Sequence, residues 1–234
     1  MKTILFIISL YFPLLIIGCL QDDSPKGRLV TEIRNGNING IESLLKQGVD
    51  INSRYEWGLT PLIIAVKRGN IDVIDVLLKH GASIELADND GTTPLMHSAS
   101  CNDTKVMAFL LKQGANISAC DNEGENAFLR SVRWGNVENM KFLIKQGVNI
   151  NAFNKDGETA LFIAVYKLFP EKVSLLISEG IDSSIKNKNG QTALDVAIQN
   201  SKGRTPPCDT LNEIIKILES TNAANKPDQK KQPE

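Results

Sequence analysis

Histidine is nearly absent from this chain: 234 residues hold two, His80 and His97, and they lie far apart in sequence. No Cys-x-x-Cys, Gly-x-Ser-x-Gly or phosphate-binding glycine loop occurs. The spacings that metal sites, nucleophilic catalysis and nucleotide binding require are therefore missing. An excess of one charge is missing too. Lys and Arg number 26 against 27 Asp and Glu, a formal net charge of -1, whereas a dedicated nucleic-acid binder shows a basic surplus. Acidic residues are plentiful but fall in turns, where solvation is their ordinary role. These absences nominate no catalytic residue, no cofactor and no metal ligand. The expectation is a binding protein, not an enzyme.

One apolar run does stand out, Ile4 to Ile17, broken only by Ser9, Tyr11 and Pro13 and preceded by Lys2. Its 14 residues suit the hydrophobic stretch of a secretion signal, since a bilayer span needs roughly 20. It ends in Ile16-Ile17-Gly18-Cys19, which resembles the bacterial lipobox. That resemblance implies removal of residues 1–18, lipidation of Cys19 and a short linker over 19–26. Each buried CH₂ of an acyl chain contributes about 0.8 kcal/mol, so two or more chains anchor lastingly. The next residue is Leu20 rather than Asp, which resembles lipoproteins sorted to the outer membrane. A plain secretory signal or an uncleaved anchor also fits the run. Cys101, Cys120 and Cys208 remain, an odd number, and no structural disulfide is expected among them.

The rest of the chain repeats. Gly58, Gly91, Gly124, Gly157 and Gly190 are separated by 33 residues each. Leu59-Thr60-Pro61-Leu62 follows the first, and related tetrapeptides follow the others. Further on come Leu44-Leu45-Lys46-Gln47-Gly48, Leu77-Leu78-Lys79-His80-Gly81 and their counterparts at 110, 143 and 176. Thr60 and Thr93 are placed to cap a first helix, with Pro61 and Pro94 at its first position, where a missing N–H costs nothing. Gly69 and Gly135 suit a left-handed turn that ends that helix. Ile71, Ile74, Leu77 and Leu78 recur at helical spacing and give a second helix one apolar face. A unit of this size cannot bury its stripe alone and must stack on its neighbours.

This resembles the ankyrin repeat, whose period and Thr-Pro-Leu motif the units share over roughly residues 27–220. The resemblance implies an all-α solenoid of about six helix-turn-helix repeats with finger-like turns, starting near 25, 58, 91, 124, 157 and 190. There are departures. Asn126-Ala127-Phe128 replaces Thr-Pro-Leu and is expected to weaken that cap. Asn102 and Leu168 stand where a turn glycine is expected. Ile63, Met96, Leu129, Phe162 and Asp195 occupy the family's His position. The sixth unit carries an insertion over Ser201–Asp209. A closing helix is expected over Leu211–Glu219, with Ile214, Ile215 and Leu218 inward. Residues 221–234 are poor in apolar side chains and are expected to be disordered.

In ankyrin proteins the partner meets the fingers and the ends of the first helices. Carried onto this sequence, the finger candidates are Tyr55, Glu56, Trp57, Leu59, Asp88, Asp90, Asp121, Glu123, Glu125, Asp156 and Glu158. The helix-end candidates are Lys67, Arg68, Arg133, Trp134, Tyr166 and Lys167. Acidic fingers would stand before basic helix ends, and exposed aromatics beside arginine are typical interface anchors. The expected partner is a protein, met by a monomer, with the membrane engaged only through the lipid. The resemblance further implies an immunity role against a secreted effector, a lipase among the possibilities. An envelope scaffold and a surface-displayed host binder are the alternatives.

Overall fold

The computed structural model describes residue 22 and residues 24–101, 104–202 and 209–224. The expected leader, Cys19, Asn102, most of the 201–209 insertion, Cys208 and residues 225–234 lie outside that set. Among the described residues the regular structure is helical. Helices α1 (Pro25–Asn35), α3 (Pro61–Arg68), α5 (Pro94–Ala99), α7 (Ala127–Trp134), α9 (Ala160–Tyr166) and α11 (Ala193–Lys202) are the first helices of six units. Their partners are α2 (Ile38–Lys46), α4 (Ile71–Lys79), α6 (Thr104–Lys112), α8 (Val137–Lys145), α10 (Pro170–Ser178) and α12 (Asp209–Ala224). Each first helix packs on its own partner and on the first helix of the next unit.

The local chemistry sets the boundaries. Thr60 Oγ1 accepts from Ile63 N at 3.2 Å and Thr93 Oγ1 from Met96 N at 3.4 Å, satisfying helical N–H groups that have no intrahelical partner. Asn126 Oδ1 does the same for Leu129 N at 3.0 Å. The expected weakness of that cap is therefore absent, because Asn reaches the same N–H as Thr. Thr159, by contrast, makes no cap bond, and its buried hydroxyl has no partner. Asn70 and Asn136 cap the second helices.

Burial follows the period. Leu44, Leu77, Leu110, Leu143 and Leu176 form one column and are at most 2% exposed. Each buried leucine contributes roughly 1.5–3 kcal/mol, and each contributes only because a neighbouring unit covers it. Ile63, Met96, Leu129 and Phe162, in the family's His column, are at most 1% exposed. That column is dry, so it holds apolar side chains.

Helix α1 starts at Pro25, where Ser24 Oγ accepts from Gly27 N and Pro25 fits the first turn. Two helix ends differ from expectation. Helix α12 continues to Ala224, and Thr221 Oγ1 donates to Ile217 O at 2.9 Å. Gly135 is extended (φ -83°, ψ -170°), whereas Gly69 is left-handed at φ 72°. Only glycine fits there, since a Cβ on Gly135 would lie 2.4 Å from Ala99 O of the preceding unit.

Candidate partner-binding face

The fingers are built by one device repeated along the chain. Asp88 Oδ1 accepts from Asp90 N and Thr92 N, and Asp121 Oδ1 from Glu123 N and Glu125 N. Asn154 and Asn187 repeat it in the next two units. Each turn is closed by a backbone bond, such as Asp88 N to Thr92 O at 3.1 Å. Neighbouring fingers are tied tip to tip. Asn89 N donates to Trp57 O, Asn122 N to Asp90 O, Lys155 N to Glu123 O and Lys188 N to Asp156 O, all at 2.9–3.0 Å.

Behind each finger, side chains of the same unit reach down to the first helix. Asp121 Oδ2 meets Arg130 Nη1 at 2.8 Å, and Glu125 Oε1 accepts from Arg133 Nε at 2.9 Å. Glu158 Oε1 accepts from the Tyr166 hydroxyl at 2.8 Å. His97 Nε2 lies 2.8 Å from Asp88 Oδ2. Burial lowers the His97 pKa more than its contact with Asp88 raises it, and nearby Lys67 and Arg130 lower it further. At neutral pH the ring is therefore neutral, and its Nε2–H donates to the carboxylate. Burial first, then the bond to Glu158, pushes Tyr166 up to about 12.

These contacts take several of the finger acids out of the exposed surface. The Asp88 and Asp121 side chains are 8% and 4% exposed, and Glu125 is buried. All three carboxylates serve the fold, and Glu158 is half-buried on Tyr166. Leu59 is half-buried against the core. Tyr55 is half-buried too: its hydroxyl donates to Lys26 O at 2.9 Å, and Lys26 Nζ sits 5.0 Å from its ring centroid. What remains outward is Glu56, Trp57, Asp90, Glu123 and Asp156 on the fingers, with Lys67 and Arg68 at the end of α3.

The aromatics stay outside. Trp57 is 75% exposed, Trp134 57% and Tyr166 43%. Trp57 adopts φ 57°, ψ 15°, a left-handed conformation costly for a residue with a Cβ. Lys167 Nζ rests 4.5 Å above the Trp134 ring, so Lys167 and Trp134 form one surface element. Half-buried Arg133 is held beside them by Glu125.

Two polar residues were not singled out by sequence reasoning. Lys172, 8% exposed, donates to Val132 O at 2.6 Å, Gly135 O at 2.8 Å and Ser131 O at 3.4 Å. Asn139, fully buried, donates to Ala99 O at 3.1 Å and to Cys101 O. They stand 33 residues apart, at one register position of α8 and α10. Each ties down the end of a preceding first helix that lacks a left-handed glycine. Burial lowers the Lys172 pKa. Among the described residues, no group of three His, Cys, Asp or Glu is placed to hold a metal, and no helix is long and apolar enough to cross a membrane.

The ankyrin-repeat family model (three copies) matches residues 29–121, 88–154 and 128–228. The chain is an ankyrin-repeat protein. Its solved relatives include the immunity protein in the complex with a predatory endopeptidase from Bdellovibrio bacteriovorus. That match has 31% identity and a TM-score of 0.66, and it covers 82% of this chain and 97% of the other. No curated protein matches the chain. In ankyrin-repeat terms, the outward residues named above lie on the fingers and first-helix ends.

Proposed function

We propose that this ankyrin-repeat protein is an immunity-type binder that grips a secreted or envelope-acting endopeptidase with its finger and first-helix face and blocks it. The observation that carries this reading is the likeness, over nearly the whole of the other chain, to an immunity protein solved with an endopeptidase. The surface supports it as well. Exposed Trp57 and Trp134, with exposed Arg68, are the residue types that dominate interface energetics. The protein contributes shape and charge, not catalysis. A peptidase now stands ahead of a lipase as the enzyme class held.

The same reading places the protein on the periplasmic side of the outer membrane, tethered through Cys19. A tether there would keep the binder in the envelope, where an envelope-acting peptidase would meet it. The test expresses the full chain beside the endopeptidases of its own organism and measures complex formation and peptidase activity. Stoichiometric inhibition supports the proposal. A chain that binds none of them, or binds without inhibiting, sinks it. Fractionation of Cys19→Ala cells tests the anchor, since the variant should leave the membrane fraction.

A further inference from the structure

One pair of register positions recurs through the fingers: the residue four places after the finger's first residue, and the residue eight places further on. In successive units these pairs are Leu59 with Lys67, Thr92 with Ser100, Glu125 with Arg133, Glu158 with Tyr166 and Gln191 with Gln199. The last three pairs are bonded: Arg133 to Glu125, the Tyr166 hydroxyl to Glu158, and Gln191 Nε2 to Gln199 Oε1 at 2.6 Å. Thr92 and Ser100 are both small and neutral. Leu59 and Lys67 hold the same two register positions, so Lys67 lacks the carboxylate that Arg133 has in Glu125.

The neighbouring acids do not repair this. Asp88, at the base of the next finger, is taken by His97 at 2.8 Å, and Asp121 by Arg130. Among the described residues no carboxylate lies within ion-pair distance of Lys67 or Arg68, and both are exposed. Lys167, the counterpart of Arg68 three units on, is stacked on Trp134. Two adjacent cations without counter-ions thus sit at the end of α3, in the unit whose finger carries the exposed Trp57.

We infer that Lys67 and Arg68 receive a carboxylate from the partner protein, and that the partner segment docking there is acidic with an apolar side chain that lies on Trp57. The partner's acid takes the place that Glu125 holds for Arg133. This deepens the proposed function and rests on it for the partner's identity, but the chemistry of the subsite is independent of that identity. In the second unit the two cations have no internal ion pair, whereas Arg133 in the fourth is paired with Glu125. Charges free of internal partners set encounter rate and specificity most strongly.

The test titrates the isotope-labelled full chain with a short peptide alternating glutamate and leucine, and with its glutamine counterpart. Shifts at Lys67, Arg68 and the Trp57 indole with the glutamate peptide are expected. Affinity should fall roughly tenfold or more for the glutamine peptide and for Lys67→Gln/Arg68→Gln, but not for Lys155→Gln/Lys188→Gln. Leu59→Glu, which supplies the internal carboxylate, should weaken binding as well, while Leu59→Gln controls for lost packing. Equal binding by the Lys67→Gln/Arg68→Gln variant overturns the inference. So does tighter binding of tripolyphosphate than of the glutamate peptide at these residues. If an endopeptidase binds the wild type and this double variant equally, the inference falls and the proposed function stands. If the glutamate peptide behaves as expected and no endopeptidase binds, the proposed function falls alone.

Discussion

Lys172 Nζ donates to Val132 O at 2.6 Å, so a charged side chain of the fifth unit closes the end of a helix in the fourth. Its two further bonds go to Ser131 O, which also accepts from Gly135 N, and to Gly135 O just beyond α7. A cation is the favoured group at a helix C-terminus. Lys172→Met keeps the aliphatic volume and removes the three donors. The expected loss is about 2 kcal/mol of unfolding free energy, because buried carbonyls are left unpaired. Urea unfolding measures it; a variant as stable as wild type would show that the buried ammonium is dispensable.

Trp57 offers a separation of stability from binding. Its left-handed backbone costs roughly 1–2 kcal/mol for a residue with a Cβ, and its ring, 75% exposed, recovers little by packing. Trp57→Gly removes that strain and adds unfolded-state entropy of comparable size. Its melting temperature should match or exceed that of the wild type, while affinity for the partner should fall by about 2 kcal/mol. A variant that unfolds instead would mean that the ring holds the first finger in place.

His97 should give the protein a pH dependence of definite sign. Its pKa in the fold lies below the ordinary 6.5, chiefly through burial. Below pH 6.5 the unfolded chain therefore binds more protons than the folded one, and stability falls as pH falls. Asp88, Lys67 and Arg130 are the charged groups acting on it. His97→Gln retains a donor for Asp88 and removes the titration. Thermal melts between pH 6.5 and 5.5 should show a declining wild type and a flatter variant; parallel curves would rule out His97 as the source.

Much of the fold could be read from the chain because its landmarks act locally. A Thr before Pro caps a helix wherever it stands, and a leucine every 33 residues needs only a neighbour to cover it. What stayed hidden depended on contacts between units. Gly135 is spelled like Gly69, yet it is extended, and Ala99 O of the preceding unit comes too close for a side chain there. Lys172 looks like a surface lysine until the preceding turn presents its carbonyls. The site was legible in outline only. Its exposed aromatics stand out by type, but Asp121 and Glu125 passed for free charge because their arginines lie nine and eight residues on. Aligning the units and comparing position against position would have exposed those pairs, and the lack of one at Lys67.

The tip-to-tip bonds between fingers have a mechanical consequence. Single hairpins projecting from a rod would splay independently as a ligand pressed on them. Here each tip is fastened to the next through its own main chain, so a push on one is shared as shear along the whole edge. A binding partner therefore encounters a graduated rail of constant pitch, and a mispositioned one would have to bend all of it.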